Sequence, residues 1–192
     1  MRYPIDHKDA SRQRLIKLSG SHAKKHGFSA SGVASLAASA GVTTGALYKH
    51  FGGKSELFSA LVTDELTRTA AKYDAFDSTS AARLLVDYLS LEHVNHPEQG
   101  CPLPALTPEI ARADDATKDA FRTGLLGIHA TLRRLTTSSE DAWTLMAQNV
   151  GAVMLTRAIP DEGLQQEILS VLRKAGERLL ADTGARAPSP SS

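Results

Sequence analysis

Apolar positions recur along this chain at spacings of three and four, the pattern of amphipathic helices. A first helix is predicted from about Asp9 to His26, with Leu15, Ile16 and Ser19 turned inward and Gly27 ending it. Val33, Leu36, Ala37 and Ala40 stand at i, i+3, i+4 and i+7 and mark one face of a short second helix. Gly41 supplies the positive φ that closes it, and Val42 packs the turn. Thr43 or Thr44 can cap a third helix by accepting a backbone N–H. That helix turns Leu47 and Phe51 inward. Its other face shows Thr44, Gly45, Tyr48 and Lys49, with His50 beside them. A short helix with small residues first, then a phenol and cations, suits a DNA major groove, so helix-turn-helix is the first hypothesis.

The rest of the chain continues in helices. Gly52-Gly53 breaks it, and a long helix is predicted from Lys54 to about Tyr73, where Leu57, Leu61, Asp64, Glu65 and Leu66 mix apolar and acidic faces. Asp74 to Ser80 is polar and reads as a linker. Leu84, Leu85, Tyr88, Leu91 and Val94 make a helical stripe over 81–94. His96 to Pro102 is dense in breakers and reads as a loop. Helices are predicted at 103–113, 115–136, 140–158 and 161–182, with Pro160 between the final two. Phe121, Leu125, Ile128, Leu132 and Leu135 keep the 3.6 period in the second of these. The tail, 184–192, reads as disordered. No repeat, no alternating strand and no long heptad run is present, so the fold class is all-α.

Charge sharpens the picture. Residues 1–55 hold nine Lys/Arg against two Asp/Glu, a balance of +7, and residues 56–192 hold thirteen against nineteen, a balance of −6. The whole-chain value of +1 hides this split. A basic first quarter that coincides with a helix-turn-helix points to a nucleic-acid end joined to a separate body. At 192 residues the chain can bury a proper core. No apolar run approaches a membrane span, the first residues carry no apolar signal segment, and a single cysteine rules out an intrachain disulfide framework. A cytoplasmic protein without a membrane partner is expected.

Leu15-Ile16, Gly27-Phe28, Gly32-Val33, Leu36-Ala37, Ala40-Gly41-Val42, Gly45 to Phe51, Lys54 and Leu57-Phe58 together form a recognisable pattern. Residues 9–60 resemble the DNA-binding domain of the TetR family of repressors. Gly100-Cys101-Pro102-Leu103 resembles a segment of one branch of these regulators. The resemblance implies an all-α homodimer with a three-helix helix-turn-helix head, residues 1–53, and a helical effector-binding and dimerisation body, residues 54–183, entered through a connecting helix at 54–73. It implies base contacts at Thr43, Thr44, Gly45 and Lys49, and phosphate contacts at Tyr48, His50 and Lys54. It implies a double-stranded DNA operator and a small-molecule effector as partners, with no cofactor. The chemistry is independently sensible: Tyr48 carries a donor on a stiff stem, and Lys54 opens a helix whose first N–H groups favour a phosphate. Two departures stand out. Gly32 replaces a Ser or Thr cap, which glycine tolerates, and His22-Ala23 replaces a bulkier pair, leaving a smaller core and a partly buried imidazole.

Other residues divide between ordinary and functional roles. Lys24, Lys25 and His26 suit the C-terminal dipole of the first helix, with phosphate steering secondary. Trp143 and Met146 suit a core or a dimer interface. Tyr88, Arg122 and His129 carry no signal that separates a pocket from ordinary positions. His93, His96 and Cys101 form His-x2-His-x4-Cys, three ligand types in a loop where zinc needs convergence, and the expectation is no metal. Cys101 precedes a predicted helix N-terminus, which lowers a thiol's pKa, so it is a candidate sensor beside its commoner role as a small buried residue. Val150, Val153, Met154, Leu164, Ile168, Leu172 and Leu179 give two apolar helices for a shared bundle, with Gly151 allowing close approach. No phosphate loop, nucleophile elbow or paired metal ligands occur, so no enzyme is expected. The leading expectation is a ligand-responsive repressor. The alternatives are a non-catalytic helical interaction module with vestigial DNA binding, or a thiol or electrophile sensor acting through Cys101.

Overall fold

The computed structural model describes residues 5–180, and among them every regular element is an α-helix. The ten are α1 (Ile5–His26), α2 (Val33–Ser39), α3 (Thr44–Tyr48), α4 (Lys54–Asp74), α5 (Ala81–Tyr88), α6 (Leu91–Asn95), α7 (Leu103–Ile110), α8 (Asp115–Leu135), α9 (Ser139–Arg157) and α10 (Glu162–Glu177). One isolated bridge, Thr136 to Leu180, ties the α8–α9 turn to the chain beyond α10. The tail expected to be disordered, 184–192, lies outside the described residues.

Local chemistry sets the boundaries. Gly27 and Gly41 take the positive φ values, 81° and 69°, that end α1 and the α2 turn. Four later helices open on side-chain caps: Ser90 accepts from His93 N, Asp114 from Thr117 N, Ser138 from Asp141 N and Asp161 from Leu164 N. The Ser90 cap explains the main departure from expectation. The stripe predicted as one helix over 81–94 is two, because Leu89 leaves helical geometry and Ser90 starts α6 afresh. The first helix is already formed at Ile5, ahead of Asp9, and the last ends at Glu177, short of 182.

Burial follows the periodicity. Leu15, Ile16 and Ser19 on α1, Leu36 and Ala37 on α2, and Leu47 and Phe51 beyond the turn are all buried. All but Ser19 belong to one apolar cluster that continues through Leu57, Leu61 and Leu66 of α4 to Leu145 and Leu169. Head and body therefore share a continuous core, with α4 as its spine between α1 and α8.

Candidate nucleic-acid interface and body cavity

Thr43 is the residue that caps α3: its hydroxyl accepts from Ala46 N at 3.2 Å. With Leu47 and Phe51 held inward, Thr43, Thr44, Gly45, Tyr48 and Lys49 are left on one exposed surface, and Tyr48 keeps 54% of its surface open. An open tyrosine on a helix otherwise anchored by a fully buried leucine is available to a partner. Sequence reasoning missed the neighbouring Arg12, whose guanidinium lies 4.8 Å from the Phe51 ring centroid. His50 is half-buried beside it, and partial desolvation together with the charges of Lys8, Arg12 and Lys49 lowers its pKa, with Asp9 opposing. Lys54 already has partners: its ammonium donates to Ser29 O at 3.1 Å and lies 4.9 Å from the Phe28 ring centroid. His22 is half-buried as expected, 3.0 Å from the Ser35 hydroxyl, and the burial together with His26 lowers its pKa.

Lys24 departs from its expected role at the helix terminus. It is buried, 2.8 Å from the Glu65 carboxylate, and donates to Gly100 O at 2.9 Å. Both side chains of the pair are only 3% exposed. Gly20 makes room for it, because a Cβ there would stand 2.6 Å from Glu65 Oε1. Arg68 reaches the same carboxylate at 2.6 Å and Asp64 at 2.8 Å, and these partners raise its pKa against partial desolvation. The signal in the sequence was Glu65 itself: it stands four residues from both Leu61 and Thr69 on the inward stripe, where an acid survives only if paired.

This pair borders a cleft of about 530 Å³ between α4, α5, α6 and the 96–101 loop. Tyr73, Phe76, Leu84, Tyr88, His93 and Cys101 supply much of its wall. Of the three undecided residues, Tyr88 lines the cleft, Arg122 is exposed beside Asp119, and His129 stacks on Trp143 at 4.1 Å. The His-x2-His-x4-Cys triad does not converge, and no group of metal-ligating side chains occurs among the described residues. His93 Nε2 accepts from Cys101 N at 3.1 Å, so its Nδ1 carries the proton and donates to Tyr88 O at 2.7 Å. His96 faces Glu92 and Glu98 instead. Burial lowers His93 to about 4, so the ring is neutral at neutral pH. Cys101 takes the commoner of its two expected roles, a small buried residue. The thiol is buried, and burial raises its pKa despite the hydrogen bond from the Leu103 backbone at the helix start.

Elsewhere on the body, α9 and α10 expose apolar residues. Trp143, Met154 and Leu155 are open on α9, and Leu164 and Val171 on α10. Val150, Ile168, Leu172 and Leu179 are half-buried. Val153, expected on the same face, is fully buried within the chain's own core. A Cβ at Gly151 would meet nothing, so that position is open to close approach.

Comparison with known proteins agrees with this architecture. Residues 23–61 match the family model described as bacterial regulatory proteins, tetR family. No curated protein matches the sequence. Similar solved structures include E. coli NemR in its reduced form, 18% identical with a TM-score of 0.72, over 92% of this chain and all of that one. A TetR-family transcriptional regulator from Agrobacterium tumefaciens is 19% identical with a TM-score of 0.71, over 91% of this chain and all of that one. A TetR-family regulator from Cytophaga hutchinsonii is 18% identical with a TM-score of 0.70, over 94% and 100%. The head has the helix-turn-helix of DNA-binding transcriptional regulators, and the chain as a whole shares the fold of these solved structures. The family match runs from the last turn of α1 into the first half of α4, and over that segment the chain is similar to the tetR family of bacterial regulatory proteins. No described helix is long and apolar enough to cross a membrane.

Proposed function

We propose that the chain is a cytoplasmic, ligand-released repressor that binds a palindromic operator as a homodimer. Residues 1–53 are its DNA-reading head and residues 54–183 its effector-binding and dimerisation body. The observation that carries this reading is the exposed surface of Thr43, Thr44, Gly45, Tyr48 and Lys49 on a helix fixed by Leu47 and Phe51. Thr43, Thr44, Gly45 and Lys49 read base edges, and Tyr48, His50 and Lys54 hold phosphates. For Lys54 this means leaving Ser29 O for a stronger, anionic acceptor.

The exposed stripes of α9 and α10 pair with their mates in a four-helix bundle, and the half-buried Val150, Ile168 and Leu172 complete the seam. The cleft bordered by Lys24 and Tyr88 takes the effector, since its volume lies within the about 300–1,000 Å³ usual for small-molecule sites. Selection of bound duplexes from a randomised pool tests the reading. Enrichment of an inverted repeat with half-sites about 34–36 Å apart is expected, and a pool that stays unenriched at low salt contradicts it.

A further inference from the structure

Among the described residues, Lys24 is the one side chain of α1 to α3 that lines the cleft; every other lining residue belongs to α4 or beyond. Its ammonium has three N–H groups. One meets Glu65 and one meets Gly100 O, which leaves a third. The α1–α4 wall around it carries Lys24, Arg68 and Lys72 against two carboxylates, Glu65 and Asp64, because Arg68 spans both acids. The facing wall carries Asp87, 4.0 Å from Arg83, and Glu92, 3.6 Å from His96 on the same wall; Glu92 is largely exposed to solvent. Tyr73, Phe76, Leu84 and Tyr88 offer an apolar and aromatic bed beside this wall.

We propose that Lys24 is the residue through which the head reads the cleft, its third N–H anchoring an anionic oxygen on an aromatic or otherwise apolar small-molecule ligand. The inference rests on the cleft being the effector site. The coupling follows from what else Lys24 holds. Its bond to Gly100 O fixes the segment that runs straight into α7. On α7, the Glu109 carboxylate accepts from Phe28 N at 2.9 Å and Ser29 N at 2.5 Å, the turn between α1 and α2. The head is therefore fastened to the body at Lys24 and at Glu109. An anion that draws Lys24 into the cleft loosens Gly100, and with it the approach to the second fastening.

Two dyes of matched shape test this on the full chain. 1-Anilinonaphthalene-8-sulfonate carries the anionic oxygens, and N-phenyl-1-naphthylamine lacks them. Each is titrated by fluorescence into wild type, Lys24→Met and the double variant Lys24→Met/Glu65→Leu. The double variant removes a cation and an anion together, so it keeps the local net charge and avoids a stranded buried carboxylate. The sulfonate is expected to bind wild type at least about tenfold more tightly than the neutral dye, and to lose about tenfold in the double variant while the neutral dye changes little. Operator affinity, read by anisotropy, falls with the sulfonate in wild type and not in the double variant. Equal affinities of the two dyes in wild type, or equal losses of both in the double variant, overturn the assignment. If the neutral dye releases operator as well as the sulfonate does, the effector-site reading stands and the Lys24 assignment falls. If the selected duplex is not bound even without dye, the repressor reading itself fails.

Discussion

Glu65→Leu is the most informative single perturbation of the folded chain. Glu65 sits on the inward stripe of α4 with its side chain 3% exposed, and it accepts from both Lys24 and Arg68. Removing it strands the Lys24 ammonium, also 3% exposed, with Gly100 O as its remaining partner. Arg68 loses less, because it is nearly half exposed and keeps Asp64 at 2.8 Å. Breaking a buried pair from one side costs about 3–5 kcal/mol. For a chain of this size that lowers Tm by about 6–20 °C. Lys24→Met/Glu65→Leu removes both charges and fills similar volume, so it recovers most of the loss, or exceeds wild type by about 1–4 kcal/mol. Urea unfolding of wild type, both single variants and the double variant closes the cycle. A loss below about 1 kcal/mol in Glu65→Leu, the range of an exposed pair, refutes the claim that the pair is desolvated.

Other outcomes are open to measurement. His93 has its pKa lowered to about 4 by burial, against an ordinary value of 6.5. The unfolded chain thus binds more protons between those values, and the contribution, about 3 kcal/mol, is fully present above pH 6.5 and lost as pH falls toward 4. His93→Gln should flatten that part of the stability profile, and an unchanged slope would assign it to other groups. Lys49→Ala should weaken binding and relax base preference by about 1–3 kcal/mol. Tyr48→Phe should weaken all duplexes alike, and a changed sequence preference in Tyr48→Phe would reverse the assigned roles. Leu155→Glu/Val171→Glu places charge on two residues 61% and 58% exposed, so the chain should stay helical and become monomeric. A variant that sediments as a dimer would move the interface elsewhere.

The head was legible in the sequence because its constraints are local. Gly41, the Thr43 cap and the inward Leu47 and Phe51 lie within a dozen residues of one another, and each acts through its nearest turn. The long helices were legible from period alone. Three things were not. The break at Leu89 depends on a cap that competes with a continuing helix. Val153 faces its own core because α9 packs against α6, α7, α8 and α10 of the same chain, and a stripe does not say which neighbour covers it. Lys24, Glu65 and Gly100 converge from three distant segments, and no spacing reports that. Cys101 shows the same limit in its chemistry: the helix start is local and visible, whereas the burial that outweighs it is tertiary.

The central claim is that two heads on one dimer read DNA together. Sedimentation of the purified chain with a duplex bearing the selected inverted repeat tests it most directly, repeated over a series of salt concentrations. Two chains per duplex are expected, with affinity falling steeply at a log–log slope of about −0.9 for each phosphate neutralised. One chain per duplex, or an affinity no greater for the repeat than for a scrambled duplex, would contradict it.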